Sequence, residues 1–348
     1  MADTGSFKRT LLAWLTLFRL GATARGVLPF LLGGVIAWSQ GYHINWLVLV
    51  LSTVAVTAVM LMTFLINEYY DYETDLANKD FHRLSGGSRV LPMGLVSRHQ
   101  ALVAAYICLA ISVIVGLVLY LVMKTGPYTI LLGAAAIFIG YFYTAGPFKW
   151  SYRGLGEVAI WFSCGWLATI VGYYLQAGEF SLVATLASLP GATSVFLVIL
   201  MNEIPDIASD SLAGKRNLVV RLGRERAAVL YIVLLVLCYV NIVVIAFFGV
   251  PVISAFLSLV LIPWIVWIIV TIKRQGLSDV KVQEGLSLKT MLVDHLITII
   301  YTVAFLYEGL KQVEMGWGQL GLVAFIYIIV FALEGLGVFS AKLVLADR

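Results

Sequence analysis

Charge is what this sequence has least of. Only 12% of its 348 residues are Asp, Glu, Lys or Arg, against 61% hydrophobic ones, and the mean hydropathy is +0.97. A soluble domain carries about a quarter of its residues charged, so a water-facing surface is excluded for most of this chain. No polar stretch is long enough to fold by itself, and 1–348 reads as a single membrane-embedded domain. Cysteine is scarce as well. Cys108, Cys164 and Cys238 lie singly inside apolar runs, which excludes a disulfide framework or a thiolate metal site and makes them small buried hydrophobes. The four histidines show no ligand spacing. The polar segment Met1–Lys8 carries no short apolar stretch with a small-residue cleavage site, so no cleaved signal peptide is expected.

What the sequence does have is a succession of apolar runs. A spanning helix needs about 20 such residues. Runs fall at roughly 11–40, 45–68, 100–123, 127–146, 155–177, 182–203, 227–249, 251–272, 290–310 and 317–340. They predict an all-α polytopic bundle of nine to ten spans. The first run is the least regular, because Arg19 and Arg25 lie in its first half. Basic residues set the orientation, since cytoplasmic loops are enriched in Lys and Arg. With the N-terminus inside, the inner loops collect Lys79, Arg83, Arg89 and Arg98, then Lys149 and Arg153, then Lys215, Arg216, Arg221, Arg224 and Arg226, then Lys273, Arg274, Lys281 and Lys289. The other side holds Lys124 and Lys311. Both termini are therefore expected in the cytoplasm. The net charge of +4 reflects a basic inner face beside anionic lipid, with no nucleic-acid partner.

Two segments repeat one another. Asn67-Glu68-Tyr69-Tyr70-Asp71-Tyr72-Glu73-Thr74-Asp75 closes the second run, and Asn202-Glu203-Ile204-Pro205-Asp206-Ile207-Ala208-Ser209-Asp210 closes the sixth. Both read N-E-x-x-D-x-x-x-D. Four runs separate them, so a parallel repeat places both at the cytoplasmic side of a cavity between two pseudo-repeated halves. Positions i, i+4 and i+8 share one face of a helix. Asn67, Asp71 and Asp75 form one stripe, Asn202, Asp206 and Asp210 another, and together they predict a cage of carboxylate and amide oxygens. Mg²⁺ takes such hard donors and shares them with substrate phosphates. Pro205 marks a helix break.

Cations flank both segments, in Ser85-Gly86-Gly87-Ser88-Arg89 and in Gly214-Lys215-Arg216-Asn217. Glycine loops with a cation can cover a phosphate, and basic inner loops also follow from topology alone. The run from Tyr141 to Glu157 gathers Tyr143, Lys149, Trp150, Tyr152 and Arg153. It reads either as a substrate-binding loop or as an interfacial aromatic belt.

These residues together resemble the UbiA-type family of intramembrane aromatic prenyltransferases, over about residues 15 to 310. The resemblance implies Mg²⁺ held on a polyprenyl diphosphate by Asn67, Asp71, Asp75, Asn202, Asp206 and Asp210. It implies catalytic roles for Asp71, Asp206 and Lys149, and substrate binding by Arg19, Arg89, Tyr143, Arg153, Lys215 and Arg216. Tyr69, Tyr70, Tyr143 and Trp150 become candidates to shield an allylic carbocation through their π-faces. Within the family, Tyr152–Glu157 and Gly214–Gly223 look most like the menaquinone branch, which prenylates 1,4-dihydroxy-2-naphthoate. The 4-hydroxybenzoate branch usually has a shorter spacing than Tyr143 to Lys149. Arg19 resembles the arginine that opens the family's first helix, with Leu20 where the family usually has Pro. The family usually shows nine spans, so 317–340 is an addition. The setting implied is the inner or plasma membrane of a prokaryote. A secondary transporter is the rival from another class. It would want ionisable residues at mid-span, whereas the repeated acids lie at cytoplasmic helix ends and only Asp294, Glu308 and Glu334 approach mid-span.

Overall fold

The computed structural model describes residues 4–78, 81, 85 and 87–312, with positions 321, 324 and 328 beyond them. Among the described residues every regular element is helical. In chain order these are α1 (Thr4–Leu17), α2 (Leu20–Ser39), α3 (Trp46–Tyr70), α4 (Tyr72–Ala77), α5 (Arg98–Val122), α6 (Thr129–Phe142), α7 (Gly156–Ala177), α8 (Leu182–Glu203), α9 (Ile207–Leu212), α10 (Leu218–Leu222), α11 (Arg224–Phe248), α12 (Val252–Gln275) and α13 (Val280–Gln312). Among the described residues, eight helical stretches are long and apolar enough to cross a membrane, with α1 and α2 counted as one, and α6 is apolar but shorter. The expected spans up to residue 310 therefore all have a helix. The tenth, 317–340, lies outside the described residues apart from those three positions.

Two boundaries differ from the sequence expectation. The first span is two helices, because Arg19 adopts the left-handed conformation (φ 45°, ψ 47°) between α1 and α2. Its guanidinium is drawn to Glu68 at the far end of α3, and a continuous helix would point it elsewhere. The ninth starts ten residues early, at Val280, because the polar first turns of α13 precede its apolar stretch.

Local chemistry sets the ends. Asn45 accepts from the Val48 amide at the start of α3, Ser181 from the Ala184 amide at α8, and Ser97 and Gln100 form a reciprocal capping box on α5. Packing follows small residues. On α5, Ala101, Ala105, Cys108 and Ser112 recur at helical spacing, are buried, and face α3, while Ile107, Ile111 and Ile114 are exposed. That is the pattern of a helix with lipid on one side and a close neighbour on the other. At the α2–α7 crossing a Cβ on Gly33 would collide with the Thr169 carbonyl, and one on Gly172 with that of Phe30. Only glycine permits that approach.

The repeat is visible in the backbone. Both α3 and α8 stop inside their N-E-x-x-D segment, turn, and resume as the short helices α4 and α9, which pack close together at the same end of the bundle. The turning residues share one conformation: Asp71 at φ −85°, ψ 5°, and Asp206 at φ −87°, ψ 0°. Each stripe is thus bent at its middle aspartate instead of running along one straight helix.

Candidate active site

One cavity of about 420 Å³ is lined by all six repeated residues, Asn67, Asp71, Asp75, Asn202, Asp206 and Asp210. Arg19, Arg89, Tyr143 and Lys215 line it as well. Lys149, Arg153 and Arg216 do not line it. Lys149 lies against the Tyr152 ring, 5.3 Å from its centroid, and Arg153 donates to the Pro147 carbonyl. The Arg216 amide donates to the Tyr152 carbonyl. Of the four aromatic candidates, Tyr143 alone lines the cavity; Tyr69, Tyr70 and Trp150 do not.

The two halves are cross-linked at the cavity mouth. Asn78, just past α4, donates to Asp206 at 2.8 Å, and Asn67 donates to Asp71 at 2.8 Å. Lys215 stands between the halves, 3.5 Å from Asp71 and 3.5 Å from Asp210. Tyr152 donates to Asp71 and Asn217 to Asp210. Glu68 is spent differently: it pairs with Arg19 and accepts from both the amide and the hydroxyl of Ser88. Arg89, at φ 64°, donates to the Asp75 carbonyl and lies over the Phe81 ring. Arg19 and Arg89 are thus two of the four non-glycine residues with positive φ among those described, a conformation that concentrates at ligand sites. Gly87 fits tightly for a related reason, since a Cβ there would meet the Asp75 carboxylate.

The electrostatics favour a cation. Burial pushes the Asp75 carboxyl well above its usual range, reinforced by Glu68 and Asp71 and opposed by Arg19 and Lys215. Burial also raises Asp210, against the pull of Lys215. Burial works against the charge on Lys215, but Asp71, Asp210 and Glu203 outweigh it and hold the ammonium well above its usual value. Nearby positive charge is what lets such buried acids ionise.

The donor set suits a hard divalent ion. Every donor the two stripes offer is a carboxylate or amide oxygen, and Asn202 Oδ1 is buried without a hydrogen-bond partner. Among the described residues no three acidic, His or Cys side chains converge to hold an ion by themselves. The expected closed cage is therefore two facing half-sites, because Lys215 separates Asp71 from Asp210. Half-sites that leave coordination positions to water and phosphate are the way Mg²⁺ is usually held.

Sequence reasoning missed Asn78, Tyr152 as a partner of Asp71, and Glu157. The Glu157 side chain is fully buried and accepts from the Leu218 amide at 2.6 Å, anchoring the loop that carries Lys215. Asn78 stands seven residues past Asp71, two turns on, which was the available signal. Arg25, which in the sequence is only an irregularity within an apolar run, lines the cavity.

A helical bundle with paired acidic half-sites at one end of an apolar cavity is the architecture of an intramembrane enzyme, and the family model for the UbiA prenyltransferase family matches residues 27–283. The chain belongs to that family and is an integral membrane prenyltransferase. It is 30% identical over 224 residues to the 1,4-dihydroxy-2-naphthoate octaprenyltransferase of Mycobacterium leprae, covering 64% of this chain and 74% of that one. It is 26% identical over 235 residues to the UbiA prenyltransferase domain-containing protein 1 of Xenopus tropicalis, covering 67% of this chain and 66% of that one. The fold is that of a UbiA homolog from Archaeoglobus fulgidus bound to GPP and Mg²⁺, with a TM-score of 0.56 at 19% identity over 85% of this chain and 99% of that one.

Proposed function

We propose that this protein transfers a polyprenyl group from an allylic diphosphate to an aromatic acid, with 1,4-dihydroxy-2-naphthoate as acceptor and menaquinone biosynthesis as the setting. One observation carries the reading: two matched N-E-x-x-D-x-x-x-D segments face each other across the mouth of a cavity whose remaining wall is largely apolar. The names of the bacterial relatives support the acceptor. Mg²⁺ would be held by Asn67, Asp71, Asp75, Asn202, Asp206 and Asp210, and when bound it neutralises the departing diphosphate. Lys215 and Arg89 add positive charge at the same place, while Lys149, Arg153 and Arg216 form a basic approach outside the wall. As the C–O bond breaks and diphosphate leaves, the buried Tyr143 and the dry wall protect the allylic carbocation until a ring carbon attacks it, and the ring regains its aromaticity by losing a proton or its carboxylate as CO₂. A membrane assay with a panel of aromatic acceptors tests this, and preference for 4-hydroxybenzoate would move the protein to the ubiquinone branch.

The prenyl tail lies along α3. Ser52, Val56, Val59, Thr63, Asn67 and Asp71 line the cavity at helical spacing, a run of about 28 Å at 1.5 Å per residue, close to the thickness of a bilayer core. The hydroxyls on this wall are spent on their own helices: Ser52 donates to the Val48 carbonyl, Thr63 to Val59 and Ser112 to Leu109. The tail therefore meets an effectively apolar surface. Gly133 lines the channel about 15 Å from Tyr143 along α6, by helical rise, and a Cβ there would meet no atom within 4 Å. Gly133→Leu should fold normally, keep transfer of a two-unit geranyl group, and lose most transfer of groups longer than four units. Unchanged chain-length preference, measured by product mass, would place the tail elsewhere.

The same reading puts the site and both termini on the cytoplasmic side of a prokaryotic inner membrane, with residues 15–310 as the core of one domain. Single cysteines at 85, 150 and 213 should label only from inside in sealed cells, and ones at 42 and 176 only from outside. Labelling of residue 85 from outside alone would invert the orientation.

A further inference from the structure

We infer that Arg25 receives the carboxylate of the aromatic acceptor. This assignment rests on the prenyltransferase reading and adds a specificity residue to it. Among the described residues four cations line the cavity, Arg19, Arg25, Arg89 and Lys215. Arg19 is neutralised by Glu68, Lys215 by Asp71 and Asp210, and Arg89 is bound to the Asp75 carbonyl. Arg25 stands in no ion pair among the described residues, and its Nε is buried without a hydrogen-bond partner. Of the three cations that the sequence offers for an acidic acceptor, Lys149 and Arg153 lie outside the cavity wall, and Arg19 lines it but is paired with Glu68.

Position supports the assignment. Arg25 is five residues into α2, about 8 Å beyond that helix's first residue by helical rise, so it sits below the acidic mouth. The cavity wall from α7 and α13 includes Ser163, Cys164, Leu288 and Met291. The prenyl channel is instead walled by α3, α5 and α6. Among the ionisable neighbours, His295 and Cys164 lie within electrostatic reach of Arg25, and Asp294 stands within reach of Cys164 and Cys238. An ionisable side chain inside a span is expensive to bury and marks a substrate pathway. A guanidinium fork matches a carboxylate bidentately. An aromatic acid anchored there would hold its ring toward the mouth, where the allylic carbon leaves its diphosphate, with no competition for the metal site.

The test compares two acceptors on the full chain in membranes: 1,4-dihydroxy-2-naphthoate and naphthalene-1,4-diol, which lacks the carboxylate. Arg25→Gln should raise the KM for the acid about 30-fold or more, leave the KM for the prenyl diphosphate unchanged, and leave the diol unaffected. Arg25→Lys should recover part of the loss. An equal loss with both acceptors would overturn the assignment. A second measurement needs neither variant nor turnover. On the unmodified protein, 1,4-dihydroxy-2-naphthoate should bind at least about ten times more tightly than its carboxamide, and equal affinity would also overturn it. Absence of transfer with every acceptor, alongside tight and carboxylate-specific binding, would count against the prenyltransferase reading and leave the Arg25 site standing.

Discussion

Asp71→Ala and Asp206→Ala are each expected to lower prenyl transfer by about 10³-fold or more, the scale on which lost electrostatic stabilisation of a leaving anion is felt. The protein should remain folded, because both residues occupy turns at the cavity mouth and not the packed interior of a helix pair. Asp71 gives up bonds from Asn67 and Tyr152 and its approach to Lys215, and Lys215 keeps Asp210. Asp206 gives up the bond from Asn78. The charge-neutral, shape-preserving Asp71→Asn should be nearly as inactive, which separates loss of charge from loss of packing. Radiolabelled transfer measures activity and size-exclusion behaviour in detergent measures folding. A tenth or more of the original turnover in either alanine variant would remove these acids from the mechanism.

Lys215→Met should produce the largest change in stability. With no divalent ion added, Lys215 is the counter-charge shared by Asp71 and Asp210, and its side chain is only 14% exposed. Breaking a buried pair by removing one partner costs about 3–5 kcal/mol, because the remaining charge is left uncompensated. In EDTA the variant should melt well below the unmodified protein. Added Mg²⁺ should raise the melting temperature of the variant more than that of the parent, since a ligand that binds only the folded state stabilises it and the variant has more unneutralised acid to offer. Equal Mg²⁺ shifts in the two proteins would mean that the ion does not sit between the half-sites.

The spans up to residue 310 and their order were legible because apolar runs of the right length can do little else in a bilayer. The repeat was legible because two nine-residue segments with the same four polar positions, each ending an equivalent helix, rarely arise without a shared task. The bend at Asp71 and Asp206 was not, since a spacing of four fits a continuous helix as well as two helices joined by a turn. Lys149, Arg153 and Arg216 were drawn toward the site by sequence proximity to Tyr143 and Lys215. The fold leaves these three off the cavity wall while turning Tyr152 toward Asp71 and Lys215 into the cavity. Arg19 was legible as a cation near the cavity, but its partner Glu68 is 49 residues away and only the tertiary structure shows that its charge is already committed. Arg25 was hidden because a lone arginine in an apolar run looks like an irregular span.

On the proposed reading, two acidic half-sites hold Mg²⁺ on an allylic diphosphate beside a bound aromatic acid. The most direct measurement is transfer of a radiolabelled prenyl group to 1,4-dihydroxy-2-naphthoate by membranes containing the protein, with Mg²⁺, with EDTA, and with Mg²⁺ restored after EDTA. Labelled prenyl-naphthol product is expected with Mg²⁺, none with EDTA, and recovery on restoration. Product formation at the same rate in EDTA, or no transfer to any aromatic acid with Mg²⁺ present, would contradict it.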